Sequence, residues 1–124
     1  MSYDLNNYNV SLLAAADLSG AQYKCVSLDS SGRIIQSTAT SLTIGVLQTK
    51  PTNGQFGSVA FMGVSKMALG GTVTAGARMH SNASGLGVAA TTAGNAVIGI
   101  ALEGGASGDV IPVLLGRMPF ATLA

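Results

Sequence analysis

Tryptophan is absent, cysteine and histidine occur once each, and proline occurs three times. Only 9% of the 124 residues are charged, against an average near 25%. Each scarcity excludes something. One cysteine excludes a disulfide framework and any cysteine-based zinc site. Six Lys and Arg against five Asp and Glu give a formal charge of +1, which excludes a nucleic-acid domain working through a basic patch. The basic residues stand one by one and make no phosphate track. Hydrophobic residues are nonetheless 48% of the chain, too many for ordinary disorder. The longest stretch without a formal charge, Met79 to Leu102, contains His80, Asn82 and Asn95. It is too polar to give the ~20 apolar residues of a membrane span. The first ten residues, MSYDLNNYNV, lack the basic and apolar regions of a secretion signal. Folding in a reducing cytoplasm is therefore expected, with Cys25 as a buried small hydrophobe.

The length suits one domain with a folded surface of roughly 6,000 Å². Eleven charged side chains cover little of that area, so broad Ala, Thr, Val and Gly surfaces are left for contacts. Self-association is the expectation.

What the sequence does have is glycine, 17 residues of it, and an internal repeat. Thr43-Ile44-Gly45-Val46-Leu47 stands beside Val97-Ile98-Gly99-Ile100-Ala101. Gly54 follows Gly45 at the spacing by which Gly108 follows Gly99, and Val59 and Phe61 match Val113 and Leu115. Upstream, Gly20-Ala21-Gln22-Tyr23 pairs with Gly76-Ala77-Arg78-Met79, and Ser30-Ser31-Gly32 with Ala83-Ser84-Gly85. Pseudo-repeats of about 15–65 and 72–119 emerge within one β domain, 11–124.

The pattern predicts short strands and Gly-rich turns. Lys24–Leu28 and Arg33–Gln36 flank an Asp-Ser-Ser-Gly turn, a hairpin signal. Leu42–Gln48, Ser58–Met62, Val97–Leu102 and Val110–Leu115 read as further strands. Ser11–Leu18 fits either a strand or one to two helical turns. The fold class expected is all-β, a small β-barrel or β-tulip-like domain, with residues 1–10 as an extended N-terminal arm. Gly45 and Gly99 lie inside apolar runs, where glycine costs up to about 1 kcal/mol unless close packing requires it. Both are expected to mark a close approach of backbones.

Catalytic chemistry is poorly supplied. Gly85-Leu86-Gly87-Val88-Ala89-Ala90 satisfies G-x-G-x-x-A, but a dinucleotide site needs a helix after it, and Thr91, Thr92 and Gly94 follow instead. Cys25 and His80 could form a nucleophile and base only if the fold joins them. Glu103 and Asp109 flank a Gly-rich loop with too few further oxygen ligands for calcium. Asn82-Ala83-Ser84 is a glycosylation sequon that, without secretion, reads as a turn. No catalytic residue, no metal and no cofactor is expected, and no enzymatic activity.

The repeated elements, Gly20…Ser31-Gly32…Ile44-Gly45-Val46…Gly54…Val59 and Gly76…Ser84-Gly85…Ile98-Gly99-Ile100…Gly108…Val113, resemble the small bacteriophage capsid decoration, or cement, proteins. The resemblance covers about residues 15–119. It implies a compact β-barrel or β-tulip, usually a homotrimer, on the outer surface of the phage head after assembly in the host cytoplasm. There it bridges neighbouring subunits of the major capsid protein and stabilises the shell. From charge and polarity, no nucleic-acid and no membrane partner is expected. An N-terminal capsid-contacting arm would map onto Ser2, Tyr3, Asp4, Leu5, Asn6, Asn7 and Tyr8. The alternatives are a head-fibre base or tail component, or a small intracellular ligand-binding or enzymatic barrel with its site between protomers.

Overall fold

The computed structural model describes residues 7–91 and 97–116, and the named elements are all strands. They are β1 (Asn7–Leu13), β2 (Cys25–Leu28), β3 (Ile34–Gln36), β4 (Gly45–Leu47), β5 (Phe56–Ala68), β6 (Arg78–Ser81), β7 (Gly87–Ala89), β8 (Gly99–Ala101) and β9 (Val110–Leu115). They form one curled, barrel-like antiparallel sheet of order β3-β2-β4-β5-β9-β8-β6-β7, with β1 paired onto β5. The chain is all-β and barrel-like, as its alternation and turn residues imply. Of the ambiguous stretch Ser11–Leu18, residues up to Leu13 are strand, and Ala14 bridges to Ile34.

Strand pairing repeats in tandem. β2 pairs with β3 and β4, and β4 with the first part of β5. In the same way β6 pairs with β7 and β8, and β8 with β9. β5 serves both series, because β1 pairs with its first part as its second part pairs with β9. Loop hydrogen bonds repeat as well. The Ala14 amide donates to the Gln55 carbonyl at 2.8 Å and the Leu69 amide to that of Asp109 at 2.8 Å. Leu18 donates to Pro51 at 2.9 Å and Val73 to Gly105 at 2.8 Å. The first strand of the series is thus β1 in one unit and the second part of β5 in the other.

Local chemistry explains the matched turns. The Asp29 carboxylate accepts from the Ser31 and Arg33 amides, both at 2.9 Å. Asn82 Oδ1 does the same for Ser84 at 2.8 Å and Leu86 at 3.0 Å. Gly32 and Gly85 close these turns at φ +77°, a left-handed backbone that only glycine adopts without cost. One sequence match shifts in the structure. The Tyr23 amide donates to the Leu47 carbonyl at 2.7 Å, as the Gly76 amide donates to that of Ala101 at 2.8 Å. Tyr23 (φ 66°), not Gly20, is therefore the counterpart of Gly76 (φ 88°).

Each unit has its own core. Ala14, Leu18, Val26, Ile34, Leu47 and Val59 fill the first. Their counterparts Leu69, Val73, Met79, Ala101 and Val113 lie in the second, with Met67 and Ile111. Side-chain volumes are exchanged, not copied. Ile34 Cδ1 lies 3.1 Å from where a Gly57 Cβ would be. In the second unit glycine is on the other strand, since Gly87 holds the place of Ile34 and Ile111 that of Gly57. Total volume is conserved, which close-packed cores require.

The two cores lie on opposite sides of the first unit's sheet. Cys25, Val46 and Ala60 face the second core, whereas their neighbours Val26, Leu47 and Val59 face the first. Met67, of the same parity as Val59, belongs to the second core, so alternation along β5 is reset between them. The reset coincides with a register shift opposite Tyr8 and Asn9 and with Gly63 at φ +96°.

Candidate functional site

Gly45 and Gly99 occupy the same place in the two units, opposite Val26 and Met79. A Cβ on Gly45 would overlap the Ala60 carbonyl oxygen and lie 2.9 Å from Val59 Cγ1. A Cβ on Gly99 would overlap the Leu114 carbonyl oxygen and lie 3.0 Å from Val113 Cγ1. The neighbouring strand's backbone approaches closely at both positions.

The candidate chemical groups are absorbed by the fold. Cys25, on β2, is fully buried, and desolvation pushes its thiol up to about 12, against a weaker opposing effect of the Ser81 hydroxyl. A thiol held protonated is a poor nucleophile. His80 lies half-buried on β6, and burial lowers its pKa, favouring the neutral ring. Asp109 Oδ2 accepts the Ala106 amide at 2.8 Å, closing its own turn. Among the described residues no three His, Cys, Asp or Glu gather as a metal would need. Gly85 to Ala89 are turn and strand β7, not the helix start that a phosphate site needs.

Of the arm residues named from sequence, Ser2, Tyr3, Asp4, Leu5 and Asn6 lie outside the described residues. Asn7 and Tyr8 begin β1. Asn7 Nδ2 donates to the Val64 carbonyl at 2.9 Å, and Tyr8 pairs with Met62 while remaining 67% exposed. Gly63 pairs with both Asn7 and Leu115, so the start of β1 meets the end of β9 there. Beside this junction lies an open apolar groove of about 450 Å³ lined by Met62, Ile100 and Leu114 among others. Those three side chains and Phe61 are each more than two-fifths exposed. A second hollow, of about 320 Å³, lies by Leu28, Ile35 and Leu42 on the first unit. Sequence reading missed both hollows, because exposure of a strand face depends on which other strands cover it.

The described surface thus combines exposed apolar side chains with a thiol shut away from solvent. The structure is similar to the N base of the head fiber protein gp8.5 of bacteriophage phi29, with TM-score 0.71 and 14% identity over 89% of this chain and 94% of that one. At that identity the likeness is one of fold. A search of curated proteins returns no match. The family model for phage cement protein matches residues 21–117. The chain belongs to the phage cement protein family, structural proteins of the phage head.

Proposed function

We propose that the protein is a homotrimeric decoration protein with a non-enzymatic role. It binds the outer surface of the phage head, bridges neighbouring major capsid subunits and stabilises the shell. The family match carries this reading. The exposed Tyr8, Phe61, Met62, Ile100 and Leu114 support it, since groups of exposed apolar side chains on so small a chain suit protein contacts. Residues Ser2 to Tyr8 supply part of the capsid contact, with the rings of Tyr3 and Tyr8 giving contact area at low entropic cost. Attachment at many lattice positions makes each modest contact effective, because neighbours are held at high effective concentration.

Co-sedimentation of the purified full chain with expanded heads tests the assignment. The protein should pellet with heads at a fixed ratio to the major capsid protein and raise the temperature at which heads release DNA. Protein that stays in the supernatant at saturating concentration overturns it. A second reading, the base of a head fibre, is favoured by the fold likeness. It predicts occupancy of few sites per head, where decoration predicts occupancy throughout the lattice.

A further inference from the structure

The tandem repeat leaves two surfaces unmatched. Cys25, Val46 and Ala60, on the outer face of the first unit, are completely buried because the second unit packs on them. Their counterparts in the second unit, by strand pairing, are Arg78, Ile100 and Leu114. All three are exposed, Ile100 and Leu114 to 44% each, and the latter two line the 450 Å³ groove. The converse holds for the surface that docks. The Asn82–Gly85 turn of the second unit sits against the first: the Gly85 carbonyl accepts the Cys25 amide at 2.7 Å, and Ser81 is 2% exposed. In the equivalent turn of the first unit, Asp29–Gly32, the residues Ser30, Ser31 and Gly32 are exposed. Gly32 has no atom within 4 Å of a Cβ position, and Leu28, counterpart of Ser81, is 44% exposed.

We propose that these two free surfaces bind each other between copies of this chain, in the way the two units already bind within one chain. The Leu28–Gly32 corner of one copy sits on the Arg78, Ile100 and Leu114 face of the next. The occupant is a second copy because the chain displays both halves of an interface it already uses internally. Residue types support it. Where the internal interface is lined by Ser81, Val46 and Ala60, the free surfaces carry the larger apolar Leu28, Ile100 and Leu114. Where it joins Cys25 to the Asn82 turn, both neutral, the free surfaces offer Arg78 and the Asp29 turn, of opposite charge. Contacts of this kind are head-to-tail and close into a ring when the rotation per copy permits. The inference rests on the oligomeric reading above and gives it an interface.

Cysteine pairing tests it on the full chain. Within the chain the Ser81–Gly85 corner seats on Cys25, whose amide donates to the Gly85 carbonyl at 2.7 Å, so by equivalence Leu28→Cys and Arg78→Cys should fall within disulfide reach across the interface. On mild oxidation the double variant should give covalent multiples of the chain, and Leu28→Cys alone should give none. Arg78→Glu should weaken self-association about tenfold or more through like-charge contact with Asp29. Adding Asp29→Asn, which keeps the turn's acceptor oxygen, should recover part of that loss. A wild-type chain that is monomeric by light scattering at micromolar concentration overturns the oligomeric reading and this interface together. A wild-type oligomer whose double variant does not cross-link, or whose Leu28→Cys variant cross-links to itself, overturns the interface alone.

Discussion

Tyr23 and Gly76 hold one position in two successive units, each with a left-handed backbone and each donating its amide to the end of the partner strand. Tyrosine tolerates that backbone only at a cost of about 1–2 kcal/mol. Its ring packs against the second core and lies 5.7 Å from the Lys66 ammonium, contacts that offset the strain. Gly76 has no atom within 4 Å of a Cβ position, so Gly76→Ala should express the backbone cost alone, about 1–2 kcal/mol of lost stability. Gly20 is equally open but has no positive φ. Gly20→Ala should be neutral or stabilising by up to about 1 kcal/mol. Urea denaturation midpoints check both, and equal losses would show that Gly20 shares the constraint after all.

Gly45→Ala and Gly99→Ala each place a methyl group on a backbone carbonyl of the neighbouring strand. Backbone within a paired sheet yields less readily than a side chain. Each substitution should cost at least the 1–3 kcal/mol typical of overpacking, lowering the melting temperature by several degrees. Unchanged melting temperatures would contradict the close approach at these positions.

What the sequence made readable follows the range of the forces involved. The paired turns at Asp29–Gly32 and Asn82–Gly85 were readable because their chemistry is local: an Asx oxygen, two amides and one glycine. Gly45 and Gly99 were readable because glycine inside an apolar run has few explanations. The match of Tyr23 to Gly76 was hidden, since tertiary contacts let tyrosine occupy a glycine conformation and Gly20 offered a false partner. The kinship of β1 with the second part of β5 was hidden for another reason. NYNVSLL and MGVSKMA share a pairing role but no aligned pattern. Arg78 and Cys25 occupy equivalent places in opposite environments, which only the docking of one unit on the other decides.

Cys25 makes stability depend on alkaline pH. Its folded pKa, about 12, lies above the ordinary value of 9.0, so between those limits the unfolded chain releases a proton that the folded chain retains. The stabilisation is complete below about pH 9 and is lost as pH rises toward 12, at up to about 1.4 kcal/mol per pH unit. Denaturation from pH 8 to 11 should show this decline, and Cys25→Ala should flatten it after allowance for its own constant packing loss. Thiol reagents at pH 8 should modify the native chain only at its unfolding rate. Rapid modification would place the thiol in solvent.

Shortening the chain separates an arm from a strand. β1 pairs with β5 from Asn7↔Gly63 to Leu13↔Phe56, and Leu12 and Ala14 belong to the first core. A chain starting at Asn7 keeps those interactions. It should melt within a degree or two of the full chain and keep its oligomeric state, while losing affinity for expanded heads if Ser2 to Asn6 dock on the capsid. A chain starting at Ala14 strips β5 of its β1 partner and removes Leu12 from the core. Losing the paired β1 backbone together with Leu12, which packs partly buried against that core, removes a large share of the about 5–15 kcal/mol that such domains possess. That shorter chain should therefore be unfolded or nearly so by circular dichroism at 37 °C. If the chain starting at Asn7 binds heads as tightly as the full chain, the capsid contact lies entirely on the sheet. If it folds but no longer oligomerises, residues 1–6 belong to the interface between copies.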